Sequence, residues 1–369
     1  MNLELSDEQV FLRDAAKQAL SRTNTLEAAR ELLDGGERVD LWPAAVEAGW
    51  PGLLVSEDNG GAGLGAFDAL LVLTEVGRKL ATVELLGHLP ASLLLDQGGY
   101  DGIEAVAAGE TRAAFVPAAP PGDLDSTWTV DAPESMARVD APTVSGDGSV
   151  TGSVPFVVDA PGADLLVVAA TQDGQPVAVV VQAGDASIEE VVRYDATRRL
   201  GHVQLDGAAG TVLSGVGGPE LERAWNLAQA LVAAESVGAV ETCLEMAVQY
   251  AKERFTFGRP IGSYQAVKHG LVEILRQLEN ARSLLYYAGW AHEAGSDEFT
   301  VAANAARSAA GGALDYAARE NIAVHGGIGA TWEHDAPLFF RRAQLTRRLL
   351  GGTGVATDRV AGELLAKAA

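Results

Sequence analysis

The longest uninterrupted helical pattern is the feature that most limits how this chain can fold. Residues 221–254 carry apolar side chains about every 3.6 residues and contain no interior proline. Four more stretches of helical character follow, over residues 264–292, 300–321, 336–349 and 355–368. Long helices joined by short loops pack as antiparallel bundles. The sequence therefore predicts a C-terminal bundle of four to five helices.

Two segments with different predicted secondary structure precede this bundle. The first part of the chain is helical, and Ser6 with Gln9 three residues later has the pattern of a capping box. From about Ala113, prolines cluster and short β-branched runs replace the helical period. We predict an N-terminal helical domain over residues 1–112, a middle antiparallel β domain over 113–217 and the helical bundle over 218–369.

Charge and composition exclude several classes of partner. The 369-residue chain has 50 acidic against 27 basic side chains, a formal net charge of −23. Nucleic acids and anionic membrane surfaces would repel such a molecule, whereas a single arginine can still bind a small phosphate ligand. No apolar stretch approaches the roughly 20 residues of a membrane span, and the N-terminus lacks signal-peptide order. We expect a cytoplasmic protein.

A metal site is not expected. Cys243 is the only cysteine, which rules out an internal disulfide and a cysteine-based zinc site. The six histidines form no His-x-x-x-His pair and no arrangement with carboxylates at metal-ligand spacing.

Two glycine-rich runs are interpreted as turns. Gly61, Gly63 and Gly65 lack the preceding strand and the later acidic residue of a dinucleotide-binding βαβ unit. The run over residues 351–354 has no following lysine of the kind a phosphate-binding loop requires.

Three segments together resemble the acyl-CoA dehydrogenase family. The first is residues 60–65 with the Val-Gly-Arg of residues 76–78, similar to the family's front-helix motif. The second is residues 151–164, where Phe156 has the position of the aromatic that stacks beside the flavin. The third comprises residues 250–262 (Tyr-Ala-Lys-Glu-Arg-Phe-Thr-Phe-Gly-Arg-Pro-Ile-Gly), Gln265 and residues 325–333 (His-Gly-Gly-Ile-Gly-Ala-Thr-Trp-Glu). The resemblance spans nearly the whole chain and implies the family's fold of helices, sheet and bundle.

The resemblance implies FAD as cofactor, an acyl-CoA thioester as substrate and electron-transfer flavoprotein as electron acceptor. An arginine at a helix end offers forked donors to a diphosphate, and glycines let backbone approach it closely. In the family, such groups reach across a subunit boundary to the neighbour's FAD. The implied cofactor-binding residues are Arg254, Thr256, Phe257, Gln265, Gly326, Gly327 and Gly329. His325 is expected to be structural.

The carboxylate base that abstracts the α-proton is missing from the places the resemblance implies. Those positions are Leu350, its neighbour Gly352 and, early in the long helix, Ala228. None of these side chains accepts a proton, so we assign no catalytic residue. The family's flavin-contacting loop is also absent over residues 116–122, and Ala323 stands where a glutamine is usual.

Three hypotheses remain from the sequence. The leading one is a subunit of a heteromeric (α2β2) dehydrogenase for bulky acyl-CoAs, including steroid side-chain thioesters, in which a homologous sister chain supplies the base. A self-sufficient homotetramer is the second, with Glu235, Glu222 or Asp358 as an atypical base. The third is a non-catalytic acyl-CoA-binding or scaffold relative.

Overall fold

The structure is a computed structural model that describes residues 4–117, 140–191 and 193–368. Helices dominate both ends of the chain and strands its middle. The helices are α1 Asp7–Ser21, α2 Thr25–Leu33, α3 Trp42–Glu47, α4 Ala66–Lys79, α5 Leu85–Gln97, α6 Ile103–Ala107, α7 Gly218–Glu253, α8 Gln265–Glu293, α9 Phe299–His325, α10 Ala336–Thr346 and α11 Gly352–Ala368. The strands are β1 Ala113–Val116, β2 Thr143–Val144, β3 Ser149–Val158, β4 Leu165–Gln172, β5 Gln175–Gln182, β6 Ser187–Glu190, β7 Leu200–Val212, β8 Phe255–Thr256 and β9 Arg259–Pro260.

Local sequence signals set several of these boundaries. Ser6 and Gln9 form the expected capping box: the Gln9 backbone N–H donates to Ser6 Oγ at 3.2 Å, and the Ser6 N–H donates to Gln9 Oε1 at 3.1 Å. Asp173 and Gly174 both have positive φ and form the two-residue turn of the β4–β5 hairpin. The predicted capping box is confirmed.

Strands β2, β3, β4, β5 and β7 close on themselves into a small barrel. β4 pairs with β5, β5 with β7, β7 with β3, β3 with β2, and β2 with β4. Most pairs are antiparallel as predicted, but β4 runs parallel to both β1 and β2. Sequence periodicity did not indicate these parallel pairs because their partners are distant in the chain.

Helix α7 is the axis of the bundle. Residues 224–240 are all buried, which requires helices on every side of it. α4 crosses α7 closely, because a Cβ at Gly77 would lie 2.0 Å from Glu235 O, and one at Gly238 would lie 1.9 Å from Thr74 O. Arg78 of α4 stabilises the contact between these two helices through ion pairs to Glu241 and Glu245 of α7. The Val-Gly-Arg of residues 76–78 is thus a packing motif.

The glycine-rich loop before α4 is compact and carries no ligand-binding geometry of the dinucleotide type. A Cβ at Gly61 would lie 2.1 Å from Val55 O, so the loop folds back on the segment before it. Gly65 is the N-cap of α4, and its N–H donates to Asp68, while the N–H of Phe67 in the first turn donates to Glu293. The interpretation of the glycine-rich loop as a turn is confirmed.

The observed elements agree with the family's predicted architecture, with helices up to Ala107, strands from Ala113 to Val212 and helices from Gly218 onward. The domain limits at 112 and 217 stay a prediction. Among the described residues, no helix is both long enough and apolar enough to cross a membrane.

Candidate functional site

The ends of α7 and α9 lie side by side through a stack of aromatic rings. The Tyr250 and His325 ring centroids are 4.4 Å apart, and those of His325 and His334 are 4.3 Å apart. His325 Nδ1 donates to Asn321 O at 2.8 Å, which fixes its ring against α9. The stack therefore places the turn that begins at Gly326 beside the last turn of α7. The sequence assigned no role to Tyr250 within its motif or to His334, because stacking partners far apart in sequence leave no local pattern.

A small apolar cluster joins the start of α8 to the same place. Ala247, Ala251 and Val324 are its buried members, and Ile261 and Val267 pack against them. Three predicted site segments, at the end of α7, the start of α8 and the end of α9, thus converge. His325 is 6% exposed, in keeping with a structural role.

Arg254 is the first residue after α7 and is exposed. Two backbone hydrogen bonds, both 2.8 Å long, fix the position of its main chain: its N–H donates to Tyr250 O, and its carbonyl accepts from the Ile261 N–H. Its guanidinium makes no hydrogen bond or ion pair with any residue that the structure describes. Gln265 is exposed at the first position of α8, and no side chain caps that helix N-terminus.

Strands β8 and β9 form a two-residue hairpin between Arg254 and α8. Phe257 and Gly258 occupy the turn with φ of 52° and 79°. Thr256 is exposed, and its carbonyl accepts from the Tyr264 hydroxyl at 2.9 Å. Phe257 is 92% exposed. Its positive φ is also a strained conformation for a phenylalanine. Nothing in the described part of the chain covers its ring.

The three predicted glycines differ in what they do. A Cβ at Gly326 or Gly327 would meet no atom within 4 Å, so both face open space, and Gly326 has φ of 64°. A Cβ at Gly329 would lie 2.6 Å from that of His325. Gly329 is therefore required by packing inside the chain, while Gly326 and Gly327 leave room for an external group.

This arrangement fits a diphosphate. An unpaired guanidinium, an uncapped helix N-terminus and two open glycines supply donors and space for an anion at one place. Arg254, Gln265, Gly326 and Gly327 are the residues that would hold it. The assignment of these residues to FAD stays a prediction.

The two alternative places for a catalytic base meet in space, and both are apolar. Gln229 Nε2 donates to Leu350 O at 3.0 Å, so Ala228, its neighbour in α7, lies beside the turn that carries Leu350. Ala228 is 2% and Leu350 is 8% exposed, and both belong to the main hydrophobic core. Gly352, with φ of 70°, follows in the same turn. No proton acceptor is present at either family position.

A buried arginine stabilises the turn that carries Leu350 through hydrogen bonds to backbone carbonyls. Arg307 is fully buried, and its Nη2 donates to Leu349 O at 3.1 Å and to Thr346 O. Burial without a neighbouring carboxylate lowers the pKa of Arg307 to about 10. The carbonyls at the end of α10 carry the negative end of that helix dipole and so offset part of the buried charge.

The three carboxylates considered as substitute bases have other surroundings. Glu235 is 3% exposed, forms an ion pair with Arg198, and lies 3.6 Å from Arg342 Nη1. Glu222 forms an ion pair with Arg359. Asp358 is exposed on α11. The oxygens of Glu235 and Glu222 are thus engaged in ion pairs within the chain, where they neutralise positive charge.

The network around Glu235 joins the middle of the chain to the bundle. Arg342 Nε donates to Asp195 Oδ2 at 2.8 Å, and Arg342 Nη2 donates to Thr197 O at 3.3 Å. Burial alone would raise the pKa of Asp195, but Arg342, Thr197 and Arg198 outweigh it and hold that pKa below its usual value. These charges form a structural network of buried ion pairs.

Phe156, expected beside a flavin ring, is covered by the chain's own side chains. It is 3% exposed and has φ of 55°. The Arg193 guanidinium lies 4.5 Å from its ring centroid, and the His202 ring packs edge-on at 4.6 Å. The residues present therefore do not fit a flavin ring stacked on the face that Arg193 covers. The stretch where the family's flavin-contacting loop is expected to be absent is residues 116–122, and residues 118–122 of it lie outside the described residues.

The chain belongs to the acyl-CoA dehydrogenase family. The family's C-terminal domain model matches residues 219–365, and its N-terminal domain model matches residues 6–105. Acyl-CoA dehydrogenases are FAD-dependent oxidoreductases, so the expected family, fold and cofactor class are confirmed.

Similar proteins include acyl-CoA dehydrogenases, one of them a steroid acyl-CoA dehydrogenase. Acyl-CoA dehydrogenase IpdE2 of Mycolicibacterium smegmatis is 30% identical over 351 residues, covering 94% of this chain and 96% of that protein. The steroid acyl-CoA dehydrogenase Tcur3481-Tcur3483 is similar in structure, with a TM-score of 0.85, 27% identity and 98% of both chains covered. The ChsE4–ChsE5 complex from Mycobacterium tuberculosis has a TM-score of 0.85, 25% identity and 99% of both chains covered.

Proposed function

We propose that this chain is the non-catalytic subunit of a heteromeric acyl-CoA dehydrogenase and that it contributes the diphosphate-side contacts to FAD held by a homologous catalytic subunit. The observation that carries this proposal is the meeting of Ala228 and Leu350 in the hydrophobic core, with no carboxylate at either base position. The exposed, unpaired Arg254 beside open glycines supports the second half of the proposal.

The reaction of the complex would introduce an α,β double bond into an acyl-CoA thioester, with a partner carboxylate taking the α-proton. FAD, when bound, supplies the acceptor for the β-hydride. On this chain, Arg254 would bind the diphosphate by its guanidinium fork, and Gln265 would donate to the adenosine half. Gly326 and Gly327 would let the backbone approach, and Thr256 and Phe257 would line the same groove. These residues orient and enclose the cofactor and move no proton.

Bulky acyl groups such as steroid side-chain thioesters are the proposed substrates, and electron-transfer flavoprotein is the proposed acceptor. Support for the substrate comes from the steroid acyl-CoA dehydrogenase Tcur3481-Tcur3483, to which the chain is similar in structure. An α2β2 assembly is proposed on the same grounds, since one similar structure is a complex of two different chains. A cytoplasmic location is proposed from the sequence.

The test is co-expression of this chain with any acyl-CoA dehydrogenase chain encoded next to its gene. The chain alone is expected to be colourless and inactive, while the complex should contain flavin and oxidise an acyl-CoA. Arg254→Ala in the complex should lower flavin content by about tenfold or more, the effect of losing a charge-assisted contact. Arg259→Ala is the matched control, because Arg259 lies in the same hairpin but stacks on Tyr264 at 4.1 Å. Full flavin content and turnover by the chain alone would contradict the proposal.

A further inference from the structure

A polar cavity lies where α1, α4, α7 and α8 meet. Its volume is about 380 Å³, and charged side chains line most of it, with Leu71 and Val237 as apolar walls. The cavity is separate from the groove at Arg254, because none of the residues proposed to hold FAD lines it. Three polar side chains of the lining have no hydrogen-bond partner among the described residues, namely Glu75 of α4, Lys17 of α1 and Tyr286 of α8.

Glu75 is a buried carboxylate whose charge is poorly compensated. It is 6% exposed, and it pairs with Arg78 Nε only at 3.5 Å. Arg78 forms shorter ion pairs with Glu241, at 2.8 Å, and with Glu245, at 2.9 Å. Burial raises the pKa of Glu75, and Arg78 offsets only part of that rise. Because three carboxylates share this one guanidinium, Glu75 can still accept hydrogen bonds from a cationic group in the cavity.

The end of the cavity near Glu75 has more negative than positive charge. Its second guanidinium, that of Arg282, lies 3.4 Å from Glu241 and 2.5 Å from Glu279. Arg78 and Arg282 are thus shared by four carboxylates, those of Glu75, Glu241, Glu245 and Glu279. An ammonium group carries a positive charge and three hydrogen-bond donors, so it fits this end of the cavity.

Positive charge without a partner lies on α1. Lys17 is exposed, lines the cavity and forms no ion pair within the part of the chain that the structure describes. Arg13, one helical turn earlier, lines the same cavity and pairs with Asp14 at 3.0 Å. A carboxylate that reaches Lys17 would form a charge-assisted hydrogen bond. The apolar walls suit a short aliphatic chain between the two charged ends of a ligand.

We propose that this cavity binds a small ω-amino acid, whose ammonium group contacts Glu75 and whose carboxylate contacts Lys17, with the Tyr286 hydroxyl as a further hydrogen-bonding group. The ligand supplies the donors that Glu75 lacks and the acceptors that Lys17 lacks. It contains neither a nucleotide nor a thioester, so this site lies outside the dehydrogenation reaction proposed above.

The test is calorimetric titration of the full-length chain with γ-aminobutyrate, butylamine and butyrate, which share an aliphatic chain and differ in their charged ends. γ-Aminobutyrate is expected to bind about tenfold more tightly than either singly charged probe. Glu75→Gln should reduce the affinity for γ-aminobutyrate to the level of butyrate. Lys17→Ala should reduce it to the level of butylamine.

Two further variants keep the test decisive. Lys268→Ala is the matched control for Lys17→Ala, because Lys268 is also an exposed lysine but does not line the cavity, and its affinity for γ-aminobutyrate should equal that of wild type. Tyr286→Phe removes the hydroxyl and keeps the ring that packs on Phe67. It should weaken γ-aminobutyrate severalfold, even if circular dichroism shows that Glu75→Gln is unfolded.

Three outcomes would overturn the inference. The first is no binding of γ-aminobutyrate at about 10 mM, a concentration at which even a weak small ligand is detected. The second is wild-type affinity in both Lys17→Ala and Tyr286→Phe. The third is equal affinity of the wild-type chain for γ-aminobutyrate and butylamine, since the cavity would then bind cations in general, including a lysine side chain of another protein.

Discussion

Replacing Glu235 with glutamine distinguishes a structural carboxylate from a catalytic one. Glu235 lies on α7 two turns from Ala228, so position alone makes it a candidate base. Its ion pair with Arg198 and its approach to Arg342 indicate instead that it neutralises buried charge. Glu235→Gln removes that charge with little change of shape.

The expected loss of stability follows from what remains. Arg342 keeps its bond to Asp195 at 2.8 Å, whereas Arg198, 6% exposed, loses its direct partner. Removing one member of a buried ion pair costs about 3–5 kcal/mol, because the other charge stays buried without compensation. Replacing both Glu235 and Arg198 with methionine should recover most of that loss, because neither member of the pair would then stay buried without the other.

Urea unfolding followed by circular dichroism gives the free energy of unfolding, and steady-state turnover of the co-expressed complex gives activity. We expect Glu235→Gln to lower the first by about 3–5 kcal/mol and to leave the turnover per folded complex unchanged. Asp358→Asn is the matched control, since Asp358 is an exposed carboxylate, and its effect should stay within about 0.5 kcal/mol. Wild-type stability combined with loss of α-proton exchange in the Glu235→Gln complex would refute the reasoning and make Glu235 the base.

Three further outcomes are expected. Burial raises the pKa of Asp159 to about 7, above an unfolded value of about 3.9, so its contribution to stability is present below pH 4 and lost as the pH rises to 7. Asp159→Asn should therefore be more stable than wild type at pH 8 and lose that advantage near pH 4. Urea unfolding at both pH values checks this. Phe257→Asn should stabilise the isolated chain by about 0.5–1 kcal/mol, since asparagine tolerates positive φ before Gly258. The same variant should lower the flavin content of the complex, and an unchanged flavin content would contradict a role of Phe257 in the groove. Leu350→Glu should destabilise the chain by about 3 kcal/mol or more, because the new carboxylate would lie in the core. It should create no turnover in the absence of the partner. Turnover by this variant alone would favour a self-sufficient enzyme.

The parts of this fold that local sequence determines could be predicted from it. The helical period placed α7 to α11, and short-range chemistry placed the capping box at Ser6. The closed barrel depends on β2 pairing in parallel with β4, a contact between distant segments that periodicity does not encode.

The candidate site was predictable to the same extent. The motif residues around Arg254 and Gly326 were found because they are contiguous, and the structure brings them together. The environment of Glu235 was not, since its partner Arg198 lies 37 residues away and Arg342 lies on another helix. The shielding of Phe156 by Arg193 has the same origin, because a side-chain stack between strand β3 and a later loop leaves no sequence pattern.

Strain and exposure at Phe257 bear on whether the chain acts alone. A side chain at φ of 52° that is 92% exposed costs the isolated chain about 1 kcal/mol or more and gains no contact among the described residues. Leu350 also has positive φ, at 51°, but its side chain is in the core and its carbonyl accepts from Gln229. The strain at Leu350 is thus offset inside the chain, whereas that at Phe257 is offset only if another molecule covers the ring. A self-sufficient monomeric function gives no reason for the conformation at Phe257, and a groove shared with a partner subunit and its cofactor does.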